Sequence, residues 1–170
     1  MKILNLHGFR GEQHNFAYKA LTELGHSVVS PNTDYDTEIP DEIVAKLRSI
    51  IDHEAPELIV GMSLGGFYAA ILSAQTQLPA ILLNPCLMPF YHLPLLGYEG
   101  DIEPYIRLFG EISELDISKV QCLIGGKDEV IDTHSFDIKL FGKERVTIAP
   151  EGLHSGATLP LKDYFSKMIK

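Results

Sequence analysis

Cysteine is scarce in this 170-residue sequence, with two residues in all. Cys86 and Cys122 form no C-x-x-C pattern, so the expectation is a cytoplasmic protein with both thiols reduced. Basic residues are also few: 14 Lys and Arg stand against 23 Asp and Glu, a formal charge of −9. Nucleic acid and anionic membrane surfaces both demand clustered Lys and Arg, so neither is expected as a partner. The acidic balance is read as a solubility device. No apolar run approaches the length of a membrane span. Met1 to Arg10 lacks the long apolar stretch and small-residue cleavage site of a signal peptide, and reads as a short strand. No repeat, low-complexity tract or linker divides the chain, which fits one domain, residues 1–170, with a sizeable core. Seven histidines are present, but none has H-E-x-x-H spacing, and neither a metal nor a cofactor is expected.

What the chain does have is alternation. Apolar runs at Lys2 to His7, Ser27 to Ser30, Leu58 to Val60, Pro79 to Leu83, Val120 to Ile124 and Arg145 to Ile148 read as six strands. Between them lie segments with helical spacing: Gln13 to Leu24, a helix opened by Pro40, Leu64 to about Gln77, about Thr133 to Phe141, and Leu161 to Ile169. Gly25 and Pro40 are helix punctuation, the first as a stop and the second in a first turn. Uniformly apolar strands alternating with helices predict a parallel sheet covered on both faces. The stretch from Asn84 to Lys119 breaks the rhythm. It is rich in aromatic and aliphatic residues, yet interrupted by Pro85, Pro89, Pro94, Gly97 and Gly100. One helix is expected there, about Glu103 to Gly110. The segment, about residues 85–119, reads either as a cap over the site or as plain core, which periodicity cannot separate.

In parallel sheets of this kind the working site lies beyond the carboxyl ends of the strands. The most informative stretch sits there. Gly61-Met-Ser-Leu-Gly65 follows an apolar strand and opens an amphipathic helix, the context of a G-x-S-x-G nucleophile elbow. So tight a turn forces the serine into a strained conformation. It lifts Ser63 above the sheet and sets the Leu64 N–H, at a helix N-terminus, where it can face a developing oxyanion.

A serine hydroxyl is a poor nucleophile unless a base lies within hydrogen-bond reach and a third group orients that base. The loops after the fifth and sixth strands supply Asp128 and His154. Glu129 and Asp132 rival Asp128, but Asp132 is read as an N-cap of the following helix. The resulting order, Ser63, Asp128, His154, is that of the α/β-hydrolases. His14, His26, His53 and His134 read as helix-surface or strand-start residues, and His92 falls in the irregular segment; a surface histidine is the expectation for each. The loop after the first strand, His7-Gly8-Phe9, offers a second oxyanion donor in the Phe9 N–H. Gly8 permits the turn, and His7 is expected to brace it.

With these residues in place, the chain resembles the small bacterial α/β-hydrolases of the YqiA/YcfP-like esterase family. The resemblance covers most of the chain. It rests on His7-Gly8-Phe9, Gly61-Met-Ser-Leu-Gly-Gly66, Asn84-Pro85 with Pro89-Phe90, Gly126-Lys-Asp-Glu-Val130 and Gly152-Leu-His154. It implies a three-layer α/β-hydrolase core that lacks the first two strands of the full fold. The implied sheet has six parallel strands in the order 2-1-3-4-5-6, with helices on both faces and a small cap. It further implies Ser63, Asp128 and His154 as a triad with esterase or thioesterase activity. Cys86 departs from the small residue expected after Asn84-Pro85, and no aromatic follows His154.

The leading functional expectation is therefore a serine hydrolase whose partner is a small-molecule acyl ester or thioester. The same residues would serve an acyltransferase or a peptidase, and a non-catalytic binding protein on the same fold is the reading from another class. The sequence leaves a homodimer open.

Overall fold

The computed structural model describes residues 1–169. Six strands form one parallel sheet: β1 (Lys2–Leu6), β2 (Ser27–Val29), β3 (Leu58–Met62), β4 (Ala80–Leu83), β5 (Val120–Gly125) and β6 (Val146–Ala149). Their spatial order is β2-β1-β3-β4-β5-β6. Register is continuous across the centre: Asn5 pairs with Val60, Gly61 with Leu82, and Leu82 with Cys122. The strand ends therefore line up, and the loops after β1, β3, β4, β5 and β6 meet at one rim.

Side chains alternate across each strand, so every strand feeds two cores. Leu4, Leu6, Ile59, Leu82, Cys122 and Ile124 face one layer, and Ile3, Val60, Ile81, Leu83 and Leu123 face the other. The first layer contains α2 (Pro40–Glu54), α3 (Leu64–Thr76), α4 (Pro89–Leu95), α5 (Glu103–Phe109) and α6 (His134–Phe141). The second contains α1 (Phe16–Glu23) and α7 (Leu161–Met168). The outer strands are less covered: Ser27 on β2 and Thr147 and Ile148 on β6 are exposed, as edge positions allow.

Local chemistry sets the helix limits. α1 starts at Phe16, three residues after the periodic pattern begins, because the Asn15 side chain accepts from the Tyr18 N–H and caps it. Phe16, at its first position, is half exposed. Pro40 opens α2, with Asp41 and Glu42 in its first turn, where the helix dipole favours negative charge. α3 is buried all round from Leu64 to Ala74, the pattern of a helix with protein on both sides.

The other side of α3 is the segment from 85 to 119. It holds two short helices, α4 and α5, and 3-10 turns at Gly110–Glu114 and Ile117–Lys119. The expected helix is α5. α4 was hidden by its prolines: Pro89 sits in the first turn, which needs no N–H, and Pro94 lies one residue from the end. Leu87, Leu93, Tyr105, Leu108, Ile112 and Leu115 are buried in the same core as α3. These residues are core, and the large apolar residues left outside are Tyr91, Leu95, Leu96, Ile106 and Ile117.

Candidate active site

Ser63 joins β3 to α3 with φ +54° and ψ −119°, a conformation that L-residues rarely adopt. The glycines on either side explain how the turn closes. A Cβ on Gly61 would lie 2.2 Å from the Gly65 carbonyl oxygen, and one on Gly65 would lie 2.4 Å from that of Leu6. Neither position has room for any side chain. A Cβ on Gly8 would fall 3.0 Å from Ser63 Cβ, so the loop after β1 lies directly against the serine. Leu64 is the first residue of α3, and its N–H belongs to the set that a helix leaves without an intrahelical acceptor.

The three residues picked from separate strand ends meet here. Ser63 Oγ is 3.0 Å from His154 Nε2. His154 Nδ1 is 2.9 Å from Asp128 Oδ2 and 3.1 Å from Oδ1. An ionised carboxylate only accepts, so Nδ1 carries the proton and Nε2 keeps its lone pair for the serine hydroxyl. Asp128 is fixed from behind: the Val130 and Ile131 N–H groups both donate to Oδ1 at 2.9 Å. Burial alone would raise this carboxyl, but hydrogen bonds from His134, His154 and the Ile131 N–H outweigh it, and its pKa lies far below the usual carboxylate range.

A family model covers residues 2–169 and is described as "Uncharacterised protein family (UPF0227)". The chain belongs to UPF0227, the YcfP/YqiA-like family. Solved structures similar to this UPF0227 chain share its fold. A protein from Xanthomonas campestris pv. campestris, described as a hydrolase of the alpha/beta superfamily, superposes with a TM-score of 0.69 at 18% identity, covering 99% of this chain and 97% of that one. One from work on the metagenome-derived lipolytic enzymes LipS and LipT gives 0.68 at 15% identity, over 98% and 90%. The thioesterase domain from the curacin biosynthetic pathway gives 0.63 at 11%, over 99% and 91%. At these identities the likeness establishes the α/β-hydrolase fold.

Other residues of the UPF0227 chain hold this rim together. His7 accepts from the Thr33 N–H at Nε2 (3.1 Å), which leaves Nδ1 to donate to the Gly8 carbonyl at 2.8 Å. The Tyr35 hydroxyl donates to the His7 carbonyl. Burial lowers the His7 pKa, consistent with a neutral ring bracing the loop. Phe9 packs edge-on against Tyr98 and lies under the Arg10 guanidinium. Arg10 in turn forms a bidentate pair with Asp36 and donates to the Leu96 and Gly97 carbonyls, tying this loop to the end of α4.

Asn84 ties the opposite side. It is fully buried with φ +41°, a region that Asn tolerates better than most residues. Its Nδ2 donates to the Leu153 and His154 carbonyls, both at 2.9 Å, and its Oδ1 accepts from the Gly125 N–H at 2.6 Å. Glu129, a rival for the acid, accepts from the His154 backbone N–H. Cys86, the departure from the expected small residue, is buried, and its N–H donates to the Ser63 carbonyl. Burial pushes its thiol up to about 12, so it stays protonated.

Three expectations need correction. Asp132 does not cap α6: Thr133 occupies that position without a side-chain cap bond, and Asp132 accepts instead from His92 Nε2 at 3.1 Å. His92 is a buried residue, 2% exposed. His134 is also buried, and its two ring nitrogens face Asp128 and Asp137. The sequence did carry a signal for this last contact. His134 and Asp137 are spaced i,i+3 on one helix face, six and nine residues after Asp128.

Proposed function

We propose that the protein is a serine hydrolase that cleaves carboxylic esters or thioesters through an acyl-enzyme. The observation that carries this reading is the unbroken hydrogen-bonded series from Ser63 Oγ through His154 to Asp128, with the serine on a strained turn at a helix N-terminus. His154 Nε2 takes the hydroxyl proton as Oγ attacks the acyl carbon. Asp128 holds the ring in the tautomer this requires and stabilises the imidazolium. The Leu64 and Phe9 N–H groups receive the oxyanion, a contribution worth roughly a hundredfold or more in rate per well-placed donor. The His154 imidazolium protonates the departing alkoxide or thiolate. Water then repeats the sequence on the acyl-enzyme and frees the carboxylic acid.

Two buried free thiols favour a reducing compartment such as the cytoplasm. Among the described residues no helix is long and apolar enough to cross a membrane.

A fluorophosphonate probe tests the reading directly. The expected result is covalent labelling of the wild type that is lost in Ser63→Ala and strongly slowed in Asp128→Asn. A folded wild type that resists labelling would refute it. Activity lost in Asp132→Asn but spared in Asp128→Asn would overturn the assignment of the acid.

A further inference from the structure

Behind Asp128 lies a second histidine with no part in the scheme above. His134 Nε2 is 2.8 Å from Asp128 Oδ2, and His134 Nδ1 is 2.6 Å from Asp137 Oδ2. Asp128 Oδ2 is thus shared by two imidazoles, with His154 Nδ1 at 2.9 Å on its other side. Asp137 is fully buried, and its Oδ1 has no hydrogen-bond partner among the described residues. A carboxylate has no proton to give, and a neutral imidazole has one N–H. Burial pushes the Asp137 carboxyl up and the His134 contact opposes that. With Asp137 ionised, a neutral His134 would set one lone pair against another, whereas a protonated Asp137 would donate to a neutral ring. An imidazolium satisfies both contacts.

We infer that His134 is a positioning residue for the hydrolysis proposed above: an imidazolium clamped between Asp128 and Asp137 that fixes the Asp128 carboxylate and offsets part of its charge. The inference rests on the Ser63–His154–Asp128 reading. It also gives Asp137 a purpose. A lone buried carboxylate with an unsatisfied oxygen is costly, and one that pairs with a buried cation is much less so. Other titratable groups near the cluster are Glu129 on the His154 N–H, Asp132 on His92 Nε2, and His92, Cys86 and Cys122, the last three of which act on or with Asp137. A thiol is neutral and a thiolate negative, so neither cysteine can supply the positive counter-charge that Asp137 needs.

The consequence falls on His154. With a cation on its far side, Asp128 attracts the His154 proton less strongly than a solitary carboxylate would. Removing that cation makes His154 easier to protonate, so the base becomes available only at higher pH.

The test is the rate of fluorophosphonate labelling of Ser63 from about pH 5 to about pH 9, in wild type and His134→Gln. The expected result is an acid limb displaced upward by about one pH unit, which is a tenfold slower reaction on the limb. Above the limb the two rates should agree within about threefold. A folded His134→Gln with an unmoved limb, or slowed equally at every pH as a purely structural role predicts, overturns the inference alone. A wild type that labels at no pH overturns the nucleophile reading and this inference with it. Nitrogen-resolved NMR of histidine-labelled wild type gives an answer even if the variant does not fold. Two protonated ring nitrogens on His134 at neutral pH support the inference, and a neutral tautomer overturns it.

Discussion

Replacing Asn84 with alanine should unfasten the rim and cost stability in a predictable amount. Three hydrogen bonds disappear: two from Nδ2 to the Leu153 and His154 carbonyls, and one from the Gly125 N–H to Oδ1. At about 1 kcal/mol net each, with a further penalty for the stranded Gly125 N–H, the loss comes to about 3–5 kcal/mol. Alanine at φ +41° adds about 1 kcal/mol of backbone strain. Glycine at the same position avoids that strain, so Asn84→Gly should be the more stable of the two variants by about that amount. For a domain of this size each kcal/mol lowers Tm by about 2–4 °C, which predicts a drop of about 10 °C or more for Asn84→Ala. Because the His154 carbonyl is one of the anchors, probe labelling should slow by at least about tenfold, through a base held less firmly in line with the serine. Thermal unfolding followed by circular dichroism, alongside fluorophosphonate labelling, measures both effects. An Asn84→Ala protein that melts within about 2 °C of wild type and labels at the wild-type rate would refute the account of this residue as the clamp.

Ser63→Gly should raise Tm by a few degrees while abolishing labelling, because it removes a non-glycine residue from φ +54°, where the strain is about 1–2 kcal/mol; an unchanged or lower Tm would show the turn to be unstrained. Gly65→Ala should yield little soluble protein, since its Cβ would sit 2.4 Å from the Leu6 oxygen and 2.5 Å from that of His7, both backbone atoms that cannot swing aside; normal expression and melting would contradict the packing described. Stability should also depend on pH above neutrality. Burial lowers the His134 pKa, but the hydrogen bonds it donates to Asp128 and Asp137 outweigh that and raise it to about 9. A raised histidine pKa contributes stability that is complete below about pH 6.5 and is lost as pH climbs through about 9. Denaturant titration should find a decline on the order of 3 kcal/mol across that window, absent in His134→Gln.

The six parallel strands, the helices other than α4 and the convergence of Ser63, Asp128 and His154 at one rim were legible because each has a local signature, whereas the strand order came from the family resemblance. The elbow needs glycines that nothing else can replace, and strand ends in a parallel sheet share an edge by construction. The misreadings share a cause as well. Helical spacing says which side of a helix a residue occupies, but not what another segment brings against it. His134 lies on a short helix with mixed neighbours, and only the arrival of Asp128 from the preceding loop makes its face an interior one. His92 was masked by the prolines around it, and its partner Asp132 comes from the loop before α6. Asp132 and Thr133 are adjacent and both suit a helix start; contact with His92 from forty residues upstream decides how Asp132 is used. Asn84 shows the limit most plainly. Its role as a clamp joins three loops that lie far apart in the chain.

The burial of Leu93, Tyr105, Leu108 and Ile112 against α3 has one more consequence. These side chains are packed into one core with α3. Swinging them outward would strip α3 of its second wall and expose apolar surface from four fully seated residues, at about 1.5–3 kcal/mol each. If this chain carries out the proposed hydrolysis, its rate should follow dissolved substrate smoothly, with no jump where droplets or micelles first form.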